Sequence, residues 1–183
     1  MQTLDTNYKY TTEVNRSKFI AYLFPSVQFK KLQEELKSKH PKANHIIYAL
    51  RYLNHYDQVV ENSSDDGEPK GCAGVPTLNV LRGKELINCS VLIVRYFGGI
   101  KLGTSGMARA YALATKNVIE NAQFVLYEKK IKFEFSTSYS EVDKILYKLK
   151  QLELTIEERS FEIQSVDWKI SGTESNIEKF KNM

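Results

Sequence analysis

Three cations flank a bend that holds four glycines. Arg95, Lys101 and Arg109 stand before, within and after Gly98, Gly99, Gly103 and Gly106. Glycine reaches positive φ and lets a ligand or a second chain come close. The apolar run Leu92-Ile93-Val94 reads as a strand entering the bend, and a helix is expected to begin at about Thr104 or Ser105. A helix N-terminus presents backbone N–H groups without internal partners and a partial positive charge. The combination predicts an anion site built from Arg95, Gly98, Gly99, Lys101, Gly103, Thr104, Ser105, Gly106 and Arg109, with phosphate as the natural ligand. The alternative is structural, with the glycines serving only a tight strand-to-helix turn. Tyr96-Phe97 adds rings beside the cations, as single-strand nucleic-acid platforms do, although both rings suit a core equally well. The bend has neither the Gly-Lys-Ser/Thr of a Walker A loop nor the Gly-x-Gly-x-x-Gly dinucleotide pattern.

A second motif precedes it. Asp65-Asp66-Gly67-Glu68-Pro69 puts three carboxylates within four residues, and Lys70, Gly71 and Cys72 follow. Hard cations want oxygen ligands, so Mg²⁺ or Ca²⁺ is one reading, but the EF-hand spacing is absent. An acidic surface turn is the second reading, since Asp-Gly and Glu-Pro are turn pairs. A third pairs the carboxylates with Arg51, Arg95 or Lys101 and so fixes the glycine bend. Lys70 adds a cation to the predicted anion site. His45 and Arg51, at the start and the end of one strand, are expected to line the same cleft. Cys72, close to two glycines, is expected to be exposed; it lacks the His-acid partners of a catalytic thiol.

These residues need a scaffold to position them. Tyr8–Val14 and Lys18–Phe24 read as strands joined by a turn at Asn15-Arg16-Ser17. Phe29, Leu32 and Leu36 have helical spacing, and the helix ends near His40-Pro41. His45–Arg51 is a strand, nearly continuous in apolar residues and therefore central. Asn54–Gly74 is polar with little periodicity and reads as a long loop. A short helix over Pro76–Leu81, a strand over Asn88–Arg95 and a helix over Thr104–Asn121 follow. That last helix should bury Met107, Ala110, Tyr111, Ala114 and Val118. The pattern restarts near residue 128. Ile131, Phe133 and Phe135 alternate, Val142 to Leu152 has helical spacing, Leu154–Phe161 and Val166–Ile170 alternate again, and Thr173–Lys181 forms a final helix. The order β-α-β-β-α is most of a ferredoxin-like split unit, without its last strand. Domains are therefore expected at 1–127 and 128–183.

The 183 residues include 42% hydrophobic and 26% charged types, an ordinary globular composition. No apolar run approaches the roughly 20 residues of a membrane span. The segment Met1–Asn7 has neither the basic nor the apolar part of a secretory leader. Cys72 and Cys89 make no disulfide framework, and with His40, His45 and His55 they match no zinc spacing. The net charge of +4 is uneven. Residues 1–127 hold 16 Lys+Arg against 11 Asp+Glu, whereas residues 128–183 hold 10 against 11, so polyanion contact belongs to the first part.

The two motifs together resemble the YigZ/IMPACT family. The resemblance is carried by Asp65–Pro69, Gly71, Ala73-Gly74 and Pro76, then by Arg95-Tyr96-Phe97-Gly98-Gly99, Leu102-Gly103 and Arg109-Ala110-Tyr111. Arg16–Ala21 and His45–Arg51 also look like family segments, and residues 131–183 are similar to the C-terminal domain of bacterial members. Val75, Lys70, Cys72 and Thr77 depart from the pattern. The resemblance implies an α+β protein with two domains. The first would share the fold of ribosomal protein S5 domain 2, and the second would be ferredoxin-like, similar to elongation factor G domain V. It implies a cytoplasmic regulator of translation that binds RNA or the ribosome, the common suggestion for bacterial members; eukaryotic relatives regulate translation by binding a partner of a stress kinase. Two alternatives stand beside it: a protein-interaction regulator without direct RNA binding, and a small-molecule phosphate-binding enzyme of the same superfamily. No cofactor, no metal and no membrane partner is expected.

Overall fold

The computed structural model describes residues 1–182, and the chain forms two compact units that divide after Tyr127. The first contains β1 (Gln2–Thr3), β2 (Tyr8–Val14), β3 (Ser17–Pro25), α1 (Phe29–Lys39), β4 (His45–Leu53) and β5 (Val59–Ser64). It continues with α2 (Gly74–Gly83), β6 (Cys89–Tyr96), α3 (Gly103–Glu120) and β7 (Val125–Leu126). Five strands form one sheet in the order β2-β3-β6-β4-β5, and every neighbouring pair is antiparallel.

The alternation of a strand sends successive side chains to opposite faces, and each face has its own helices. Phe19, Ala21, Leu23, Ile47, Ala49, Val91 and Ile93 pack against Leu78 and Leu81 of α2 and against Ala110, Tyr111, Ala114 and Val118 of α3. Ile20, Phe24, Ile46, Leu92 and Val94 face the other way and pack with Phe29, Leu32 and Leu36 of α1. Because β6 is central and covered on both faces, its middle, Val91–Val94, reads as a continuous apolar run; Cys89 through Arg95 are all buried.

The expectation of a structureless stretch from Asn54 to Gly74 is corrected by β5, which pairs with β4 from Tyr48↔Ser64 to Leu53↔Val59. As an edge strand it has one neighbour and an incompletely buried face, so its residues need no apolar alternation. The expected helix at Pro76–Leu81 extends in both directions, and Cys72, expected to be exposed, is buried. Burial also pushes the Cys89 thiol up to about 12, with Arg51 opposing weakly, so Cys89 stays protonated.

The second unit contains β8 (Lys130–Thr137), α4 (Val142–Gln151), β9 (Thr155–Phe161), β10 (Val166–Thr173) and α5 (Glu174–Lys181). Its antiparallel sheet runs β8-β10-β9. Phe133, Phe135, Trp168 and Ile170 pack against Leu149 of α4 and against Ile177 and Phe180 of α5. The Thr173 hydroxyl accepts from the Asn176 N–H and caps α5. The whole is an α+β chain with antiparallel sheets, and none of its described helices is long and apolar enough to cross a membrane.

The bend after β6 rests on the turn between β2 and β3. That turn places Asn15 and Arg16 at φ of 46° and 66°, as a tight hairpin requires. The Gly98 N–H donates to Ser17 Oγ at 3.1 Å, and a Cβ at Gly98 would lie 2.0 Å from the Arg16 carbonyl carbon. Gly99 differs: its φ is +86° and the space around it is open. Gly98→Ala must therefore separate two backbones, at roughly 1–3 kcal/mol or more. Gly99→Ala carries only the left-handed backbone cost of about 1–2 kcal/mol. Urea unfolding should rank Gly98→Ala as the more destabilising; the reverse ranking would refute this account of the packing.

Candidate functional site

The sharp turn at Asp66 (φ +45°) and Gly67 (φ +83°) sends the three carboxylates of the acidic motif to different tasks. Asp65 accepts the backbone N–H groups of Gly71 at 2.8 Å, Ala73 at 3.0 Å and Gly74 at 2.8 Å, which closes the loop over the start of α2. Burial pushes the Asp65 carboxyl up, but the three donors together outweigh it and hold it below its ordinary value. Asp66 accepts the Ile46 N–H at 2.6 Å through Oδ2, and its carbonyl oxygen lies 2.7 Å from His45 Nδ1. A carbonyl only accepts, so His45 Nδ1 carries the hydrogen in that contact.

Glu68 turns inward and is 7% exposed. Its Oε1 accepts from Arg95 Nη1 and, at 2.7 Å, from the Tyr111 hydroxyl. His45 Nε2 lies 3.8 Å from Oε2. Arg95, 6% exposed, also touches Met107 Sδ at 3.4 Å, and its guanidinium lies over the rings of Phe19 at 5.6 Å and Phe97 at 5.9 Å. Desolvation, then the hydrogen bond to Glu68, raises the Tyr111 hydroxyl far above its usual range, which keeps it a donor. One carboxylate thus ties the acidic loop to the end of β6 and to the third turn of α3.

A cavity of about 440 Å³ opens beside this pair, between the end of β6, the acidic loop and the start of α3. Its surface is mostly apolar, with Pro69, Phe97, Leu102 and Met107 among the walls. Asn44, His45, Glu68, Arg95, Lys101 and Thr104 supply the polar groups. The Asn44 Oδ1 accepts the Phe97 N–H at 2.8 Å and so holds the base of the bend to β4. α3 begins at Gly103 with no side chain capping it, because Leu102 stands at the cap position.

The structure gathers part of the predicted set and disperses the rest. His45, Lys101, Gly103 and Thr104 share the cavity with Arg95. Arg95, however, is no free surface cation: it is spent largely on Glu68, in line with the pairing reading of the acidic motif. Gly98 and Gly99 shape the approach, Ser105 is exposed in the first turn of α3, and Gly106 shares a smaller neighbouring depression with exposed Arg109. Lys70 is exposed and lines neither cavity.

Arg51 does not share a cleft with His45, which corrects that expectation. In the antiparallel pairing His45 stands opposite Arg95 whereas Arg51 stands opposite Cys89. Six residues of strand separate them, roughly 20 Å. There Arg51 donates to Glu61 at 2.8 Å and to the Leu86 carbonyl at 2.9 Å. Among the described residues no group of three or more His, Cys, Asp or Glu side chains converges as a metal site. Asn44, Leu102 and Met107 were not legible as site residues, because Asn44 precedes a strand, Leu102 precedes a helix and Met107 belongs to the apolar face of that helix.

Residues 15–119 match the Impact N-terminal domain. The chain belongs to the IMPACT family. An IMPACT family member of Haemophilus influenzae is 28% identical over 173 residues, covering 93% of this chain and 84% of its own length. A solved structure of a hypothetical protein superposes with a TM-score of 0.76 at 24% identity, over 98% of this chain and 88% of that one, and shows the shared fold. The two-domain translational regulator Yih1 is a distant match, with a TM-score of 0.40 at 26% identity over 62% of this chain and 45% of its own.

Two outcomes test the architecture of this IMPACT-family site. Glu68→Ala leaves Arg95 buried without its counter-charge, so urea unfolding should show a loss of about 3–5 kcal/mol. A loss below about 1 kcal/mol would mean that the pair does not hold the site together. Asp65→Ala removes the closure over α2 and should cost about 1–2 kcal/mol at neutral pH. The folded Asp65 titrates below its unfolded value of about 3.9, so its contribution is present above that pH and is lost as pH falls through the lowered folded value. The stability gap between Asp65→Ala and the unmodified protein should therefore persist from pH 7 to pH 5 and close in strongly acid solution. A gap that closed above pH 5 would contradict the assignment.

Proposed function

We propose that this IMPACT-family protein is a cytoplasmic, non-enzymatic regulator of translation that binds RNA or the ribosome through the bend between β6 and α3. The observation that carries the reading is the uncapped start of α3 beside exposed Lys101, at a cavity whose wall already holds Arg95. Backbone N–H groups of the first turn have no internal partner, and the helix dipole adds positive character. Arg109 is exposed further along α3 and extends the cationic edge. The net positive charge of residues 1–127 supports contact with a polyanion.

Within the same reading, the first unit has the fold of ribosomal protein S5 domain 2, and the second is ferredoxin-like and akin to elongation factor G domain V without its last strand. The antiparallel order β8-β10-β9, with α4 after the first strand and α5 after the third, supports the second assignment. An enzyme that holds nucleotide phosphates through Mg²⁺ is the weaker reading, because Asp65, Asp66 and Glu68 each serve separate protein donors. A protein-docking role has one observation in its favour: Phe97 and Ile100 are 46% and 43% exposed on the bend.

The test is binding of RNA and of ribosomes across salt concentrations, with the double variant Lys101→Ala/Arg109→Ala. Affinity should fall steeply with salt. The variant should bind more weakly, with a log–log slope shallower by roughly 0.7–0.9 for each phosphate it no longer neutralises. Salt-insensitive binding, or a variant with unchanged slope and affinity, would remove the phosphate role from the bend. Capture of a protein partner that the same variant abolishes, without RNA binding by either form, would move the function to protein docking.

A further inference from the structure

The cavity beside the bend is more apolar than a phosphate needs. A phosphate-backbone groove asks for donors and cations along an open track. This site is a recess of about 440 Å³ with Phe97, Leu102, Met107 and Pro69 in its walls. That volume lies in the range of roughly 300–1,000 Å³ typical of small-ligand sites. The ligand therefore carries a flat or apolar body as well as an anion.

The polar groups are placed to serve both parts. The Asn44 carboxamide spends its oxygen on the Phe97 N–H, and its Nδ2 has no partner among the described residues. His45 commits Nδ1 to the Asp66 carbonyl, which leaves Nε2 on the side of Glu68. Lys101, Gly103 and Thr104 supply an ammonium group, the first helical N–H groups and a hydroxyl. Arg95 adds a positive charge, shared with Glu68, to the same wall. It is 6% exposed and lines the cavity, yet its Nε–H is buried with no acceptor. A buried donor left unpaired costs free energy, so a native one calls for an explanation.

We infer that this cavity receives one unstacked nucleotide, with the base against Phe97, Leu102 and Met107, the base edge towards Asn44 and His45, and the phosphate at Lys101 and the start of α3. The inference rests on the RNA reading above and narrows it to single-stranded RNA. A duplex keeps its bases stacked and paired and cannot place one in a recess, whereas loops and ends can splay a base onto an aromatic side chain. A free nucleotide offers the same chemistry, and the experiment separates the two sources.

Fluorescence anisotropy would compare a labelled single-stranded RNA hexamer with a 12-base-pair RNA duplex, with AMP and UMP as competitors. Phe97→Ala is the variant, since this ring is half exposed and its removal leaves the Arg95–Glu68 pair in place. Phe97→Leu, which keeps an apolar side chain, serves if the alanine form melts at a lower temperature. The expected result is single-strand binding, duplex binding at least about fivefold weaker, competition by a mononucleotide, and a loss of about fivefold or more on replacing the ring. Equal binding of both RNAs with no effect of the Phe97 variants would overturn the nucleotide pocket while leaving the RNA reading intact. Mononucleotide binding without RNA binding would keep the pocket and overturn the RNA reading. Failure of every nucleotide and RNA to bind would overturn both.

Discussion

The contact between Glu68 and Arg95 is the constraint on which the first unit's site depends. It joins three segments far apart in sequence: the acidic loop, the end of β6 and, through Tyr111, the third turn of α3. Two opposite charges withdrawn from water are costly unless they face one another, and each further hydrogen bond to the pair offsets part of that cost. Tyr111 supplies one such bond, and the Phe19 and Phe97 rings cover the guanidinium. With this pair in place, the loop, the bend and the helix start cannot shift independently, and the recess between them keeps its shape.

Around the pair, backbone geometry does most of the positioning. Asp65 closes its loop on three N–H groups, Asp66 ties the same loop to β4, and Asn44 holds the first residue of the bend. Gly98 lets the bend lie directly on the β2–β3 turn, where any side chain would meet backbone. The motif residues thus act mainly as a frame. On the proposed reading the groups left to meet a ligand are fewer: Lys101, Thr104, the open end of α3, the Phe97 ring and the Asn44 amide nitrogen. Membership of the IMPACT family accounts for the frame, since the matched domain spans residues 15–119 and includes both motifs.

Much of the fold was legible because local periodicity and burial agree. The helix that buries Met107, Ala110, Tyr111, Ala114 and Val118 on one face is α3, with that face packed on the sheet. The alternation of Ile131, Phe133 and Phe135 is β8. β5 was not legible, because an edge strand with polar residues on both sides has no pattern to distinguish it from a loop. Arg51 misled for a related reason: its place on the strand was readable, but whether it stood near Arg95 depended on a register that only strand pairing sets.

By itself the sequence determined which residues carry charge, where glycines permit sharp bends and which segments repeat with a helical or strand period. Each of these is a property of neighbours along the chain. Only the tertiary structure decided that Glu68 neutralises Arg95, that Asp65 and Asp66 serve backbone donors, and that Asn44, Leu102 and Met107 enclose a recess. Charges 27 residues apart acquire a partner only when folding removes the water between them. The sequence therefore announced an arginine beside a glycine bend, and burial determined that this arginine would brace the site.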